Sequence, residues 1–183
     1  MAYVGHLREL KRSLDLVLIA EAALKQNPRL MFVVVGDGPL RKEMETLCSE
    51  KSVAERFRFT GWIEHRKVAS YIRAADIVIT PTAIENQALI YLEAQSTGRV
   101  LLASDIPAAR EVITHGKTGL LFRTGDVDDC VSKLIRAAAN SKLRSAIGRN
   151  ARAAVQTHSL DRAVASYLNA IKLIKQRACL GIQ

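Results

Sequence analysis

Leu30-Met31-Phe32-Val33-Val34-Val35 is a run of six apolar residues with no polar interruption. A strand with one wet face alternates apolar and polar side chains. A run that does not alternate is covered on both faces, as the strands of a parallel sheet are. Runs of the same kind recur at Ile77-Val78-Ile79, Val100-Leu101-Leu102-Ala103 and Gly119-Leu120-Leu121-Phe122. Tyr3 to Leu7 reads as a first strand, and Phe57-Arg58-Phe59 as a short one ending at Gly61. Helical patterns separate them. One runs from a Ser13 cap through Leu24 and stops at Asn27-Pro28. Others cover Leu40 to Glu50, the stretch marked by Val68, Tyr71 and Ile72, a central helix ending at Gly98, and Ile106-Pro107 to His115. Such alternation with short links predicts an α/β fold, a doubly wound parallel sheet of about six strands flanked by helices. Residues 127–178 read as a helical C-terminus with Gly148 as a break.

The 183 residues suit one domain with a sizeable core. No apolar run approaches the length of a membrane span. The start lacks a basic flank followed by an apolar core, so it is not a secretory leader. It enters a strand almost at once, as a piece of a longer chain would. Cys48, Cys130 and Cys179 are scattered and show no zinc spacing. They read as reduced thiols of a cytoplasmic protein. The four histidines are dispersed, so no metal site is expected.

The net charge of +9 is unevenly placed, with 10 basic against 4 acidic side chains in residues 124–183. A solvated basic helical face is the expectation, and peripheral association with an anionic membrane surface the alternative. Nucleic acid is not an expected partner: aromatics are 5% of the chain and no RNP-like or zinc motif is present. The terminal helix, residues 159–178, carries an apolar stripe of Leu160, Val164, Tyr167, Leu168, Ile171 and Ile174. The stripe is expected to pack on its own domain. A missing partner domain is the alternative for part of it.

Several motifs are excluded. Gly36-Asp37-Gly38 follows a strand, but Arg41 stands where a dinucleotide fingerprint needs its third glycine. No Walker A sequence, receiver-type acidic trio or G-x-S-x-G elbow occurs. What remains is a set of residues following successive strands: Gly5, His6 and Lys11; Gly36-Asp37-Gly38; Gly61-Trp62-Ile63; and Glu85 to Leu89. In a parallel sheet these lie at the carboxyl edge, where ligands bind.

The last group is the most informative. Ile84-Glu85-Asn86-Gln87-Ala88-Leu89 leads from a strand into a helix that contains Glu93. A helix N-terminus favours anions, and Lys11 with the amides of Gln87, Ala88 and Leu89 would hold a diphosphate. With a helix start near Gln87, Glu93 lies almost two turns in, in one row with Leu89 and Ile90. A carboxylate in an apolar row is costly to bury without partners, and ligand hydroxyls would supply them. Eight helical residues span about 12 Å, which suits two ends of an extended ligand. The plainer alternative makes Glu93 a salt-bridged surface residue and Glu85 a partner of the helix dipole.

The series Val4-Gly5-His6-Leu7…Lys11, Val34-Val35-Gly36-Asp37-Gly38-Pro39, Phe59-Thr60-Gly61, Ala75 to Pro81, Glu85-x7-Glu93-Ala94, Gly98, Glu111-Val112-Ile113 and Gly116 to Phe122 resembles the C-terminal half of retaining, GT-B fold glycosyltransferases of family 4. The resemblance covers about residues 3–140 in the family's order. It implies a Rossmann-like domain that binds a UDP- or GDP-sugar without metal or other cofactor. It implies transfer of the sugar to an acceptor hydroxyl with retention, in polysaccharide, lipopolysaccharide or glycolipid synthesis. By position Lys11 matches the phosphate-binding lysine and Glu93 the glutamate on the ribose hydroxyls. Glu85 matches the catalytic-site glutamate beside the donor sugar. The backbone around Trp62 and Ile63 matches groups flanking the base. His6 stands where the family usually has arginine, and Glu85-Asn86-Gln87-Ala88 lacks the two glycines of the usual E-G-F-G. The acceptor-binding N-terminal half is missing, so the isolated domain is expected to bind nucleotide and to transfer little or no sugar. A non-catalytic nucleotide-sugar-binding subunit with a separate acceptor-binding partner is the alternative, and a GT-B sugar-nucleotide epimerase a third.

Overall fold

A computed structural model describes residues 1–86, 89–158 and 160–179. Six strands form one sheet: β1 (Ala2–Val4), β2 (Phe32–Val35), β3 (Phe57–Gly61), β4 (Ile77–Thr80), β5 (Val100–Ser104) and β6 (Leu120–Phe122). All neighbours pair in parallel, in the order β3-β2-β1-β4-β5-β6. The chain therefore winds outward from β1 through β2 to β3, returns to the centre at β4, and winds the other way. Tyr3 pairs with Val34, Ala2 with Val78, and Val78 with Leu101.

Helices cover both faces. On one, α1 (Asp15–Gln26), α2 (Arg41–Glu50), α6 (Val127–Ala139) and Ile147 of α7 (Ser141–Val155) enclose Tyr3, Val34, Ile77, Ile79 and Leu102. On the other, α3 (His65–Ala74), α4 (Leu89–Ser96) and α5 (Pro107–Val112) enclose Val78, Leu101 and Ala103. Successive residues of a strand go to opposite faces, and here both destinations are apolar. That is why the strand runs carry no polar interruption.

Two local expectations are corrected. Gly148 does not break the helix, because α7 runs through it from Ser141 to Val155. A side-chain carbon at Gly148 would collide with the Gly98 carbonyl, so the glycine serves the close approach of α7 to the turn after α4. The breaks lie at Asn140, whose side chain accepts from the Leu143 amide at 2.8 Å, and at the 3-10 turn Gln156–His158. Ser13 does not cap α1. It is buried, and its hydroxyl accepts from the Arg8 amide at 3.2 Å and lies 3.3 Å from the Tyr3 hydroxyl.

The terminal helix α8 (Leu160–Cys179) does not pack its stripe on the domain. Val164, Tyr167, Leu168, Ile171 and Ile174 are all exposed, Tyr167 at 74%. The main contact of α8 is with the turn Gln156–His158. The side chain of Leu160 lies outside the described residues. Among the described residues no helix is long and apolar enough to cross a membrane.

Candidate functional site

Strand order reverses between β1 and β4, and a doubly wound sheet opens its ligand crevice at that point. Two loops wall it. One leaves β1 through Gly5 and His6 to a 3-10 turn, Glu9–Lys11. The other leaves β4 and passes Pro81 to Asn86 before α4. The Ala83 amide donates to the Leu10 carbonyl at 3.1 Å, and the Lys11 ammonium donates to the Glu85 carboxylate. These side chains are 19% and 16% exposed, so opposite charges sit paired and largely shielded at the crevice mouth. The Asn86 amide donates to the other Glu85 oxygen at 3.2 Å.

A buried polar network, unannounced by any sequence pattern, holds the β1 loop. The Tyr3 hydroxyl donates to the His6 carbonyl at 3.1 Å. Tyr3 is buried, and burial pushes the ionisation of its hydroxyl up. The Leu7 amide donates to the Asp37 carbonyl at 2.9 Å, and the Leu7 carbonyl accepts from the Leu40 amide at 3.1 Å. The loop after β1 and the turn after β2 are thus one hydrogen-bonded unit.

Beside this unit lies a pocket of about 310 Å³. Gly5, His6, Gly36, Trp62 and Ile63, all selected from sequence, line it. Trp62 is 77% exposed, so most of its indole is open to a ligand or to solvent. Asp37 also lines the pocket. The Gly38 amide at 2.8 Å and the Arg41 guanidinium at 3.0 Å hold its carboxyl below the usual range. Gly36 sits where the turn after β2 passes under Gly5. Its φ is +133°, and a side-chain carbon there would strike the Gly5 carbonyl oxygen.

Glu93 stands four residues after Leu89, the first described residue of α4. It is partly buried, and its Oε1 lies 3.5 Å from Nε2 of His65, the first residue of α3. Sequence reasoning missed His65. The signal was its place two residues beyond Ile63, at a helix start on the same sheet edge. The predicted apolar row is not a buried one, since Leu89 is 62% exposed. Gln87 and Ala88, both selected from sequence, lie outside the described residues.

The selected residues therefore fall into three groups along one edge: the pocket, the Lys11–Glu85 pair with Asn86, and Glu93 with His65. Neither glutamate lines the pocket. Among the described residues no group of His, Cys, Asp or Glu is placed to hold a metal ion. A larger cavity of about 410 Å³ opens at the opposite, amino edge of the sheet, between Met1, Leu30 and Ile77. It lies at the other end of the strands from these groups, and Asn27, Arg29, Tyr71, Asp76 and Arg144 line it.

Sheet order and crevice together define a doubly wound α/β domain of Rossmann type with its ligand edge at the β1–β4 reversal. The chain belongs to the family of glycosyl transferases group 1, whose model matches residues 1–154. It is 29% identical over 153 residues to an alpha-D-kanosaminyltransferase of Streptomyces kanamyceticus, covering 81% of this chain and 39% of that protein. Its fold superimposes on the C-terminal domain of LpcC, a group 1 glycosyl transferase of Francisella tularensis. The TM-score is 0.78 at 27% identity, over 85% of this chain and 83% of that one. TarM of S. aureus, crystallised with UDP, gives a TM-score of 0.87 at 20% identity over 92% of this chain and 34% of TarM. The chain spans less than half the length of the curated relatives it matches. The fold expected from sequence, the C-terminal half of a GT-B glycosyltransferase, is the fold observed.

Proposed function

We propose that this chain is the donor-binding half of a retaining family 4 glycosyltransferase. Its substrate is a UDP- or GDP-sugar, whose sugar goes to an acceptor hydroxyl in polysaccharide, lipopolysaccharide or glycolipid synthesis. The observation that carries this reading is the spread of the three groups along one crevice. The pocket at Trp62 and Ile63 takes the base and Glu93 the ribose hydroxyls. Lys11, with the backbone amides of Gln87, Ala88 and Leu89, takes the diphosphate. Gly5 and Gly36 bring the backbone close, and His6 stands at the phosphate end. Glu85, with Asn86, orients the donor sugar.

The chemistry follows from charge. Breaking the bond between sugar and diphosphate leaves negative charge on the departing phosphate oxygen. A lysine and a helix N-terminus at that place lower the barrier by offsetting the charge. The developing positive charge on the sugar ring is met by the Glu85 carboxylate, and no covalent intermediate on Glu85 is required. The reading uses neither metal nor other cofactor. It needs an acceptor-binding half, and the exposed stripe of α8 is a surface fit to meet one. The isolated domain then binds nucleotide and transfers little or no sugar. A cytoplasmic protein at the inner face of a membrane, drawn there by its basic C-terminal helices, fits the same reading. The TarM complex with UDP is in keeping with a uridine donor.

Calorimetry with UDP, GDP and ADP identifies the base. Glu93→Ala removes the carboxylate that receives the ribose hydroxyls. It is expected to weaken the preferred nucleotide by about 1–3 kcal/mol, the worth of a charge-assisted hydrogen bond. Unchanged affinity would reject the ribose assignment.

A further inference from the structure

Lys11 and Glu85 are paired with each other. They lie 74 residues apart in the chain, and the neighbouring strands β1 and β4 bring their loops together. The Ala83–Leu10 backbone bond ties those loops. The pair is shielded enough that its attraction exceeds that of a fully solvated ion pair. An arriving diphosphate needs the Lys11 charge, and Glu85 already holds it. The phosphate therefore binds against the pair's own attraction.

We propose that the Lys11–Glu85 pair is an internal competitor that makes the site prefer the intact nucleotide-sugar over the spent nucleoside diphosphate. The inference rests on the donor-site reading above. With the intact donor, the diphosphate takes Lys11 and the sugar hydroxyls take the released carboxylate, so Glu85 exchanges one partner for another. The Asn86 amide at 3.2 Å keeps the carboxylate in place during the exchange. Once the sugar has gone, the nucleoside diphosphate offers Glu85 nothing. The carboxylate then draws Lys11 back. The pair re-forms at the product's expense, and product leaves. Lys11 and Glu85 together are thus specificity-determining residues, beyond their separate contacts to phosphate and sugar.

Glu85→Gln keeps the shape and removes the charge. Calorimetry on the whole chain compares UDP with UDP-glucose and GDP with GDP-mannose, for the parent, Glu85→Gln, Lys11→Met and the double variant. The melting temperature of each confirms folding. The nucleoside diphosphate is expected to bind Glu85→Gln about 3- to 10-fold tighter than the parent, the range for one partly shielded ion pair. The preference for nucleotide-sugar over nucleoside diphosphate should fall by at least the same factor. In the Lys11→Met background the gain should vanish, because the competitor acts through Lys11. Equal or weaker diphosphate binding in Glu85→Gln overturns the inference, and so does a gain that survives without Lys11. A parent chain that binds none of the four ligands rejects the donor-site reading itself, and the inference with it.

Discussion

Gly36→Ala tests the construction of the crevice from the backbone up. The residue follows β2, and its amide donates to the Gly61 carbonyl at 3.1 Å. Two penalties act on an alanine there. The φ of +133° is one that side chains rarely adopt, and holding a residue in such a region costs about 1–3 kcal/mol. The added carbon also meets the Gly5 carbonyl oxygen, a backbone atom held by the β1–β2 ladder, so it cannot swing aside as a flexible side chain would. Overpacking of that kind costs about 1–3 kcal/mol more. Gly116→Ala is the control. Its φ is +75°, but nothing lies within 4 Å of the added carbon, so only the conformational penalty applies. The expected losses are about 4 kcal/mol for Gly36→Ala and about 1 kcal/mol for Gly116→Ala. At about 2–4 °C per kcal/mol for a chain of this size, the melting temperatures should differ by roughly 10 °C. Urea unfolding of both variants beside the parent measures the difference. Losses that agree within about 1 kcal/mol would refute the claim that the loop after β1 and the turn after β2 are pressed together.

His6→Arg puts a permanent charge and two parallel donors at the phosphate end of the pocket. It is expected to tighten UDP about 3- to 10-fold at pH 8. Calorimetry decides, and unchanged affinity would remove His6 from the phosphate end. The buried thiols set an alkaline limit to stability. Burial pushes Cys48 up to about 11 and Cys130 up as well, while an unfolded thiol ionises near pH 8.5. Between about pH 8.5 and 11 the unfolded chain holds fewer protons than the folded one, so unfolding free energy falls as pH rises. Urea midpoints at pH 7.5 and 10 should show the fall, and replacing both cysteines by alanine should reduce it.

The sequence-based reading succeeded where the signal was periodic and local. Val34 and Val35, Ile77 to Ile79 and Leu101 to Ala103 announce buried parallel strands because both their faces must be covered. Gly98 and Pro107 punctuate helices for reasons their neighbours supply. It failed where a residue serves a distant piece of backbone. Ser13 has the chemistry of a helix cap and the position of one, yet its hydroxyl is claimed by Arg8 and by Tyr3 from β1. Gly148 has the composition of a break, yet it exists for Gly98. His65 carries no local mark of its approach to Glu93. The α8 stripe has the period of a packed helix, and period cannot say what it packs against. Lys11 and Glu85 fall between these cases. Each follows a strand, so each could be assigned to the carboxyl edge from local pattern alone. Their meeting depends on β4 lying beside β1 and not beside β3, a fact of sheet order that no short stretch of sequence encodes. The contact from which the donor-versus-product inference is drawn is therefore a product of topology, and a spacing rule such as the seven residues between Glu85 and Glu93 would never have exposed it.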